Sequence, residues 1–455
     1  MNKKIILIFL VAFLIRLIAL NQSLWLDETV TANVVENYKI TQIVSEFSPT
    51  DFHPPLYYLF MKLWTNFFGY SEIALRMPSV LFSLATGYVV YLIAGVWGAT
   101  FFLFNPLIVY YSQEVRMYMM ATFLLTGGLY YFLRSQKLEV KSQKFKLKFK
   151  SLLLMNLFFI FSFYTFYGSI FLIATILLYL LFKKRYKVFF VSCFLFLVSF
   201  ILISPLLYQQ LINSKVALAK ITNWTLVLGK ANIKNLLLIP IKFSVGRISF
   251  YPKWLYWGIA GIWTGFVLFT IKTVLNKTVF IKTVFYLLIF PLILGFLVSF
   301  FAPMMQFFRF IYLIPIMAIL LSLNKNTSMY PTPLKLRRAS RYILIIGFVV
   351  FSSAYLLLPQ FHREDWKSLV KSLPKDKPVY MIKASSDPVL YYSKNSLQVK
   401  ELTSLRVENK EKEITVIPFS VGVYGLDYKN LLSKARYTLK KEFSFREVAY
   451  EQWSK

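Results

Sequence analysis

Asp27 and Glu28 stand side by side in "SLWLDETVTA" (23–32), just past the apolar run "IILIFLVAFLIRLIAL" (5–20). A carboxylate in such a place can act as a proton acceptor. An alcohol attacking a carbon centre must lose its proton, and a carboxylate within about 3 Å can take it. A second group follows in "TDFHPPLYYLFMKLWTNFFG" (50–69), which opens with Asp51 and His53, the latter the only histidine before residue 362. His53 reads either as a structural helix-entry residue or as a phosphate or sugar contact. A third group lies in "NPLIVYYSQEVRMY" (105–118), where Glu114 and Arg116 sit between two apolar segments and Tyr118 closes the stretch. Charges at so short a junction are costly unless paired or solvated. A mutual Glu114–Arg116 ion pair is one reading and a substrate site the other, while Tyr110 and Tyr111 read as an interfacial belt.

The elements that position these groups are membrane helices. The chain has 455 residues, is 57% hydrophobic and carries a net charge of +32. Its mean hydropathy of +0.58 lies far above that of soluble proteins. The excess charge does not indicate nucleic acid, because it falls mostly in short runs between apolar segments. Spans are predicted near 5–20, 76–93, 96–111, 117–133, 151–166, 168–182, 188–205, 254–271, 284–301, 309–323 and 342–358, about eleven in all. Residues 76–111 read as a tight hairpin turning at Gly95. No small-residue cleavage site follows Leu20, so the first segment is expected to stay as a signal-anchor. Cys193 lies within an apolar run and reads as a small buried hydrophobe.

With the N-terminus inside, the predicted inner loops are 134–150, 183–187, 272–283 and 324–341. With Lys3 and Lys4 they hold 21 Lys and Arg against one acid, Glu139. That asymmetry predicts a plasma-membrane protein with a cytoplasmic N-terminus and an extracytoplasmic C-terminus. The segment 206–253, predicted outside, fits less well: it holds seven Lys and Arg and no acid, and it is read as containing interfacial amphipathic helices. From residue 359 the composition changes. "KPVYMIKA" (377–384) and "EITVIPFSV" (413–421) read as buried strands; "REDWKSLVKSL" (363–373) and "LDYKNLLSKARYTL" (426–439) read as amphipathic helices. The expectation is a transmembrane domain, 1–358, whose first outer loop is 21–75, followed by a small α/β domain, 359–455.

The carboxylates then narrow the function. No acid occurs between Glu139 and Glu364, across seven predicted spans. Seven of the eight acids before Glu364 map to the outer loops 21–75 and 112–116. Ion-coupled transporters carry ionisable groups near the bilayer midplane, whereas here the acids gather where a lipid-borne substrate presents its headgroup. A flippase of a lipid-linked sugar remains the rival of a different class, since it needs no base at Asp27.

"LWLDE", "DFHPPLYY", "ALRMPSVLF", "NPLIVYYSQEVRMY", "YTFYG", "RFIYLIPIMAILLS" and "REDWKSLVKSL" occur in that order. Together they resemble the bacterial GT-C glycosyltransferases of the Rgt-like and protein mannosyltransferase-like group, most strongly over 20–120. The resemblance implies a polytopic helical membrane enzyme. It would transfer a monosaccharide, with inversion, from a polyprenyl-phosphate-linked donor to a glycan, lipid or protein acceptor. In such enzymes the acid at the position of Asp27 is the general base, with Glu28 as its neighbour. Arg309 matches a position that contacts the lipid phosphate, His53 a basic position near it, and Glu114 a second-loop acid that helps build the site beside Arg116. Asp51 and Tyr118 fall within the matching motifs. Asp27, Glu28, Asp51, His53 and Glu114 also form an oxygen-rich set of the kind that holds Mg²⁺ or Mn²⁺. Relatives using lipid monophosphate donors mostly work without metal, so no cofactor is expected, whereas oligosaccharyltransferase relatives need a metal. The hairpin between "ALRMPS" and "YYSQE" is shorter than in those enzymes.

Overall fold

The computed structural model describes residues 3–140, 145–275, 278–323, 334–406 and 410–455. Parts of three predicted inner loops (141–144, 276–277 and 324–333) lie outside the described residues. The chain is mostly helical up to Leu357 and closes with a small mixed sheet. Five described helices are long and apolar enough to cross a membrane: Glu72–Leu103, Tyr186–Lys220, Lys253–Lys272, Val279–Val298 and Ala339–Leu357. Shorter apolar helices accompany them at Phe149–Thr165, Tyr167–Phe182 and Phe307–Ser322. This is a multi-pass membrane protein.

The predicted turn at Gly95 is present: φ is 71° there, breaking the helical run Glu72–Leu103 into two arms. Glycine reaches that φ without a Cβ clash. The predicted span 96–111 is not one helix, however. The run ends at Leu103, and Asn105 starts a new short helix, Pro106–Tyr111, by accepting from the Leu107 and Ile108 amides. Its amide also donates to Phe243 O at 2.7 Å. This junction is tied at its other side by Arg16 of the first helix, Lys3–Leu17, whose guanidinium donates to Leu103 O at 2.8 Å and to Ser83 Oγ at 2.9 Å.

A second difference concerns residues 186–220. They form one helix of 35 residues, about 52 Å at 1.5 Å per residue, longer than a hydrocarbon core of about 30 Å. The span predicted at 188–205 therefore continues without a break into the segment 206–253, where interfacial helices were expected. Its projecting part does a specific job: Gln210 donates to Ser48 O at 2.7 Å and His53 O at 2.9 Å. The helix Leu56–Phe68 follows Pro54 and Pro55 and stops at Gly69, φ 80°. It buries Tyr57, Tyr58, Met61 and Thr65 and turns Leu63, Phe67 and Phe68 outward, a face suited to a membrane surface.

The closing sheet has the order β2-β1-β3-β5-β4, with β1 Val379–Met381, β2 Val399–Glu401, β3 Glu413–Val416, β4 Thr438–Phe445 and β5 Val448–Ser454. The first three are parallel and the last two run antiparallel. Side-chain alternation divides the core in two: Val379, Met381 and Tyr450 pack with Trp366 on one face, Tyr380, Ile414 and Trp453 with Leu432 on the other. The helix predicted over 426–439 is shorter, Tyr428–Lys434, because Thr438 already belongs to β4.

Candidate active site

The helix Leu26–Asn37 carries both carboxylates of the first motif in its first turn, and its helical rotation sends them to different fates. Glu28 is fully buried. Arg76 grips it with Nε to Oε1 at 3.0 Å and Nη2 to Oε2 at 2.6 Å, while the Val115 amide donates to Oε1 at 2.8 Å and the Trp25 amide to Oε2 at 3.2 Å. Arg76 also donates to Leu20 O, Gln22 O and Ser23 O at 3.0, 2.6 and 3.1 Å. Glu28 thus ties the start of its helix to Arg76 and to the Val115 amide, and both of its oxygens accept hydrogen bonds. Asp27 points the other way, with 39% of its side chain exposed, and its Oδ2 lies 3.5 Å from Arg116 Nη2.

Around Asp27 the sequence-predicted residues fall into two groups. On one side Arg116, itself almost buried, lies within electrostatic reach of Asp27, Tyr118 and Asp51. The carboxylates of Asp27 and Asp51 help to outweigh burial and hold its guanidinium firmly charged. Tyr118 packs edge-on against Phe308, beside Arg309, which donates to Pro303 O at 3.2 Å and shares the electrostatic neighbourhood of Tyr118 and Arg116. Asp51 accepts from Tyr58 Oη at 2.8 Å and meets His53 Nδ1 at 3.4 Å. Burial pushes the Asp51 carboxyl up, but His53 and Arg116 prevail and hold it below its ordinary range.

On the other side is Glu114. It does not pair with Arg116. Its Oε1 faces Arg363 Nε at 3.8 Å and Arg247 Nη1 at 4.0 Å. Neither carboxylate oxygen has a hydrogen-bond partner among the described residues, and burial drives its carboxyl above the ordinary range. Both arginines donate to Tyr110 Oη, at 2.8 Å from Arg363 and 2.6 Å from Arg247. Tyr110 and Tyr111, read as interfacial, are in fact buried. Gly246, φ 74°, makes this possible: a Cβ there would sit 2.9 Å from Pro106, so only glycine lets Arg247 approach Tyr110.

Arg76, Arg247, Arg363, Tyr110 and Trp25 are the residues that sequence reading missed. Arg76 and Arg363 lie inside the quoted motifs "ALRMPSVLF" and "REDWKSLVKSL", and a lone arginine opening an apolar span is itself a signal. The oxygen-rich set does not converge on a metal. Among the described residues, no group of three or more His, Cys, Asp and Glu side chains is placed to hold an ion, since Glu28 turns to Arg76 and Glu114 to Arg247 and Arg363.

No protein-family model and no curated protein matches the chain. Solved structures do. ArnT from Cupriavidus metallidurans in the apo state superimposes with a TM-score of 0.62 at 12% identity, covering 98% of this chain and 97% of that one. ArnT bound to undecaprenyl phosphate gives 0.60 at 13% identity, with the same coverage. The archaeal oligosaccharyltransferase AglB from Archaeoglobus fulgidus, in complex with an inhibitory peptide and a dolichol-phosphate, gives 0.55 at 11% identity over 99% of this chain and 74% of that one. The polytopic helical architecture expected from the motifs is therefore present, and this chain shares the fold of ArnT and AglB over nearly its whole length.

Proposed function

We propose that this protein is an inverting glycosyltransferase that moves a monosaccharide from a polyprenyl-phosphate-linked donor to an acceptor hydroxyl at the outer face of the membrane. The observation that carries the reading is Asp27: an accessible carboxylate at a helix start, with the buried Arg116 cation 3.5 Å away. The fold supports it, because both similar proteins are described with a polyprenyl-type phosphate, undecaprenyl phosphate for ArnT and dolichol-phosphate for AglB. In this scheme the acceptor oxygen attacks the anomeric carbon, and its proton passes to Asp27. The bond from that carbon to the phosphate oxygen breaks, and the polyprenyl phosphate leaves with the electron pair. The leaving group is already a stable anion, so it needs positive charge more than a proton. Arg309 and Arg116 are assigned that role, with His53 beside them and Tyr118 between the two arginines. Asp51 holds His53, and Glu114 contacts the substrate with its unpartnered oxygens. Glu28 positions the Asp27 helix and does not take the proton. The transmembrane unit would be 1–358 and the outer α/β unit 359–455, with the N-terminus cytoplasmic.

The test is transfer by purified protein from a panel of polyprenyl-phosphate sugars, with and without EDTA. Transfer that survives EDTA supports the scheme. Strict dependence on divalent metal and a diphosphate donor would favour an oligosaccharyltransferase-type reaction. No transfer by folded protein with varied acceptors would favour a flippase. Arg309→Gln is expected to raise the donor KM roughly tenfold or more, the effect of losing one charge-assisted contact, with a smaller change in kcat. A donor titration with an unchanged KM would remove Arg309 from the phosphate site.

A further inference from the structure

Arg363 belongs to the segment that follows the last predicted span, yet its side chain reaches back to the start of the chain. The guanidinium lies 3.8 Å over the Trp25 ring, and Trp25 caps the helix that bears Asp27. The same group donates to Tyr110 Oη at 2.8 Å and faces Glu114 at 3.8 Å. Its backbone is held from the opposite side. Arg446, in the turn between β4 and β5, donates from Nε to Arg363 O at 2.7 Å, and the Asp365 amide donates to Arg446 O at 3.0 Å. One residue therefore links the outer hairpin, the cap of the Asp27 helix and the buried Glu114.

That link does not stand alone. The Leu24 amide donates to Tyr392 Oη at 2.7 Å, the Lys367 amide to Ser23 Oγ at 3.1 Å, and Asn33 Nδ2 to Asp387 Oδ1 at 2.8 Å. Residues 23–33 are thus fastened to the C-terminal segment at both ends.

We propose that Arg363 is a positioning residue for the transfer reaction: it holds the Glu114 carboxylate in register with Asp27 and fixes Trp25, so that the segment after the last span completes the active site. This rests on the glycosyltransferase reading above. The chemistry of Glu114 agrees with it. Burial drives that carboxyl up, and Arg363 is the strongest of the groups that draw it down, ahead of Arg247. Glu28 and Tyr110 also act on it, in opposite directions. The remaining titratable groups within reach are the phenols of Tyr57, Tyr111, Tyr118 and Tyr355.

The experiment compares the full chain with Arg363→Gln and Arg363→Lys, each also on a Glu114→Gln background. It follows kcat/KM against pH, with thermal unfolding in parallel. Arg363→Gln is expected to lower kcat/KM up to about a hundredfold at neutral pH, the scale of a small misplacement of reacting groups. Its acid limb should move to higher pH, because removing the cation leaves Glu114 protonated further up the scale. Arg363→Lys should restore the position of the limb, and on the Glu114→Gln background Arg363→Gln should move no limb. An equal loss at every pH, or an unchanged profile in folded Arg363→Gln, overturns the proposal while the glycosyltransferase reading stands. A folded wild type that transfers nothing overturns that reading and the proposal with it.

Discussion

Asp27→Asn is expected to lower kcat by about two to four orders of magnitude, the usual contribution of a positioned general base, with little change in donor KM. Asn has the shape of Asp and keeps an oxygen that can accept from Arg116, so the helix start and the cation beside it should stay in place. What disappears is the group that receives the acceptor proton. Because the Asp27 side chain is partly exposed and Asp51 still faces Arg116, the variant should lose far less stability than a change at the buried Glu28–Arg76 pair. Steady-state transfer with donor titration, alongside a melting curve, checks both halves. Turnover near wild type would assign the proton to another group.

The neighbouring substitution should behave in the opposite way. Glu28→Gln is expected to destabilise the protein, and Arg76→Met more so, each by about 3–5 kcal/mol, since removing one partner of a buried ion pair strands the other charge. The geometry explains the order. Glu28 loses one charge but keeps an amide oxygen able to accept from Val115. Arg76 takes with it the donors to both Glu28 oxygens and to three backbone carbonyls. Replacing both residues together, by Gln and Met, should cost less than the sum of the single changes. Chemical or thermal unfolding in detergent reads the effect. A Glu28→Gln protein as stable as wild type, with a hundredfold lower kcat, would instead make Glu28 the reacting carboxylate. Two adjacent acids are thus separable by one pair of experiments, one changing turnover and the other stability.

Much of the architecture was legible because its signals are local. Gly95 marks its turn through a φ only glycine accepts readily, and the helix Leu56–Phe68 is bracketed by prolines and Gly69. Asp27 and Glu114 could be picked out because acids are so scarce in the membrane half, and Arg116 because it lies with Glu114 at a short junction between two apolar segments. What was not legible depends on contacts between distant parts of the chain. The Glu28–Arg76 pair joins positions 48 residues apart, and Arg363 meets Tyr110 across 253. No spacing rule announces either. Of the two readings of Glu114 and Arg116, the mutual ion pair is not formed; Glu114 faces two arginines from remote segments instead. Residues 206–220 belong to the segment expected to hold interfacial helices rather than to a span. The helix carries on through them, and Gln210 uses that projection to hold the loop around His53.

The hydrogen bonds that fasten residues 23–33 to Lys367, Asp387 and Tyr392 have a temporal side. A ribosome makes residues 23–33 between 344 and 368 residues before it makes their partners Lys367, Asp387 and Tyr392. At about 5–20 residues per second, the turn waits roughly a quarter of a minute to a minute for its partners. Through that interval the turn already has Arg76 and the Val115 amide on Glu28 but not these later hydrogen bonds. Residues 367–392 thus close on a turn that was made long before them.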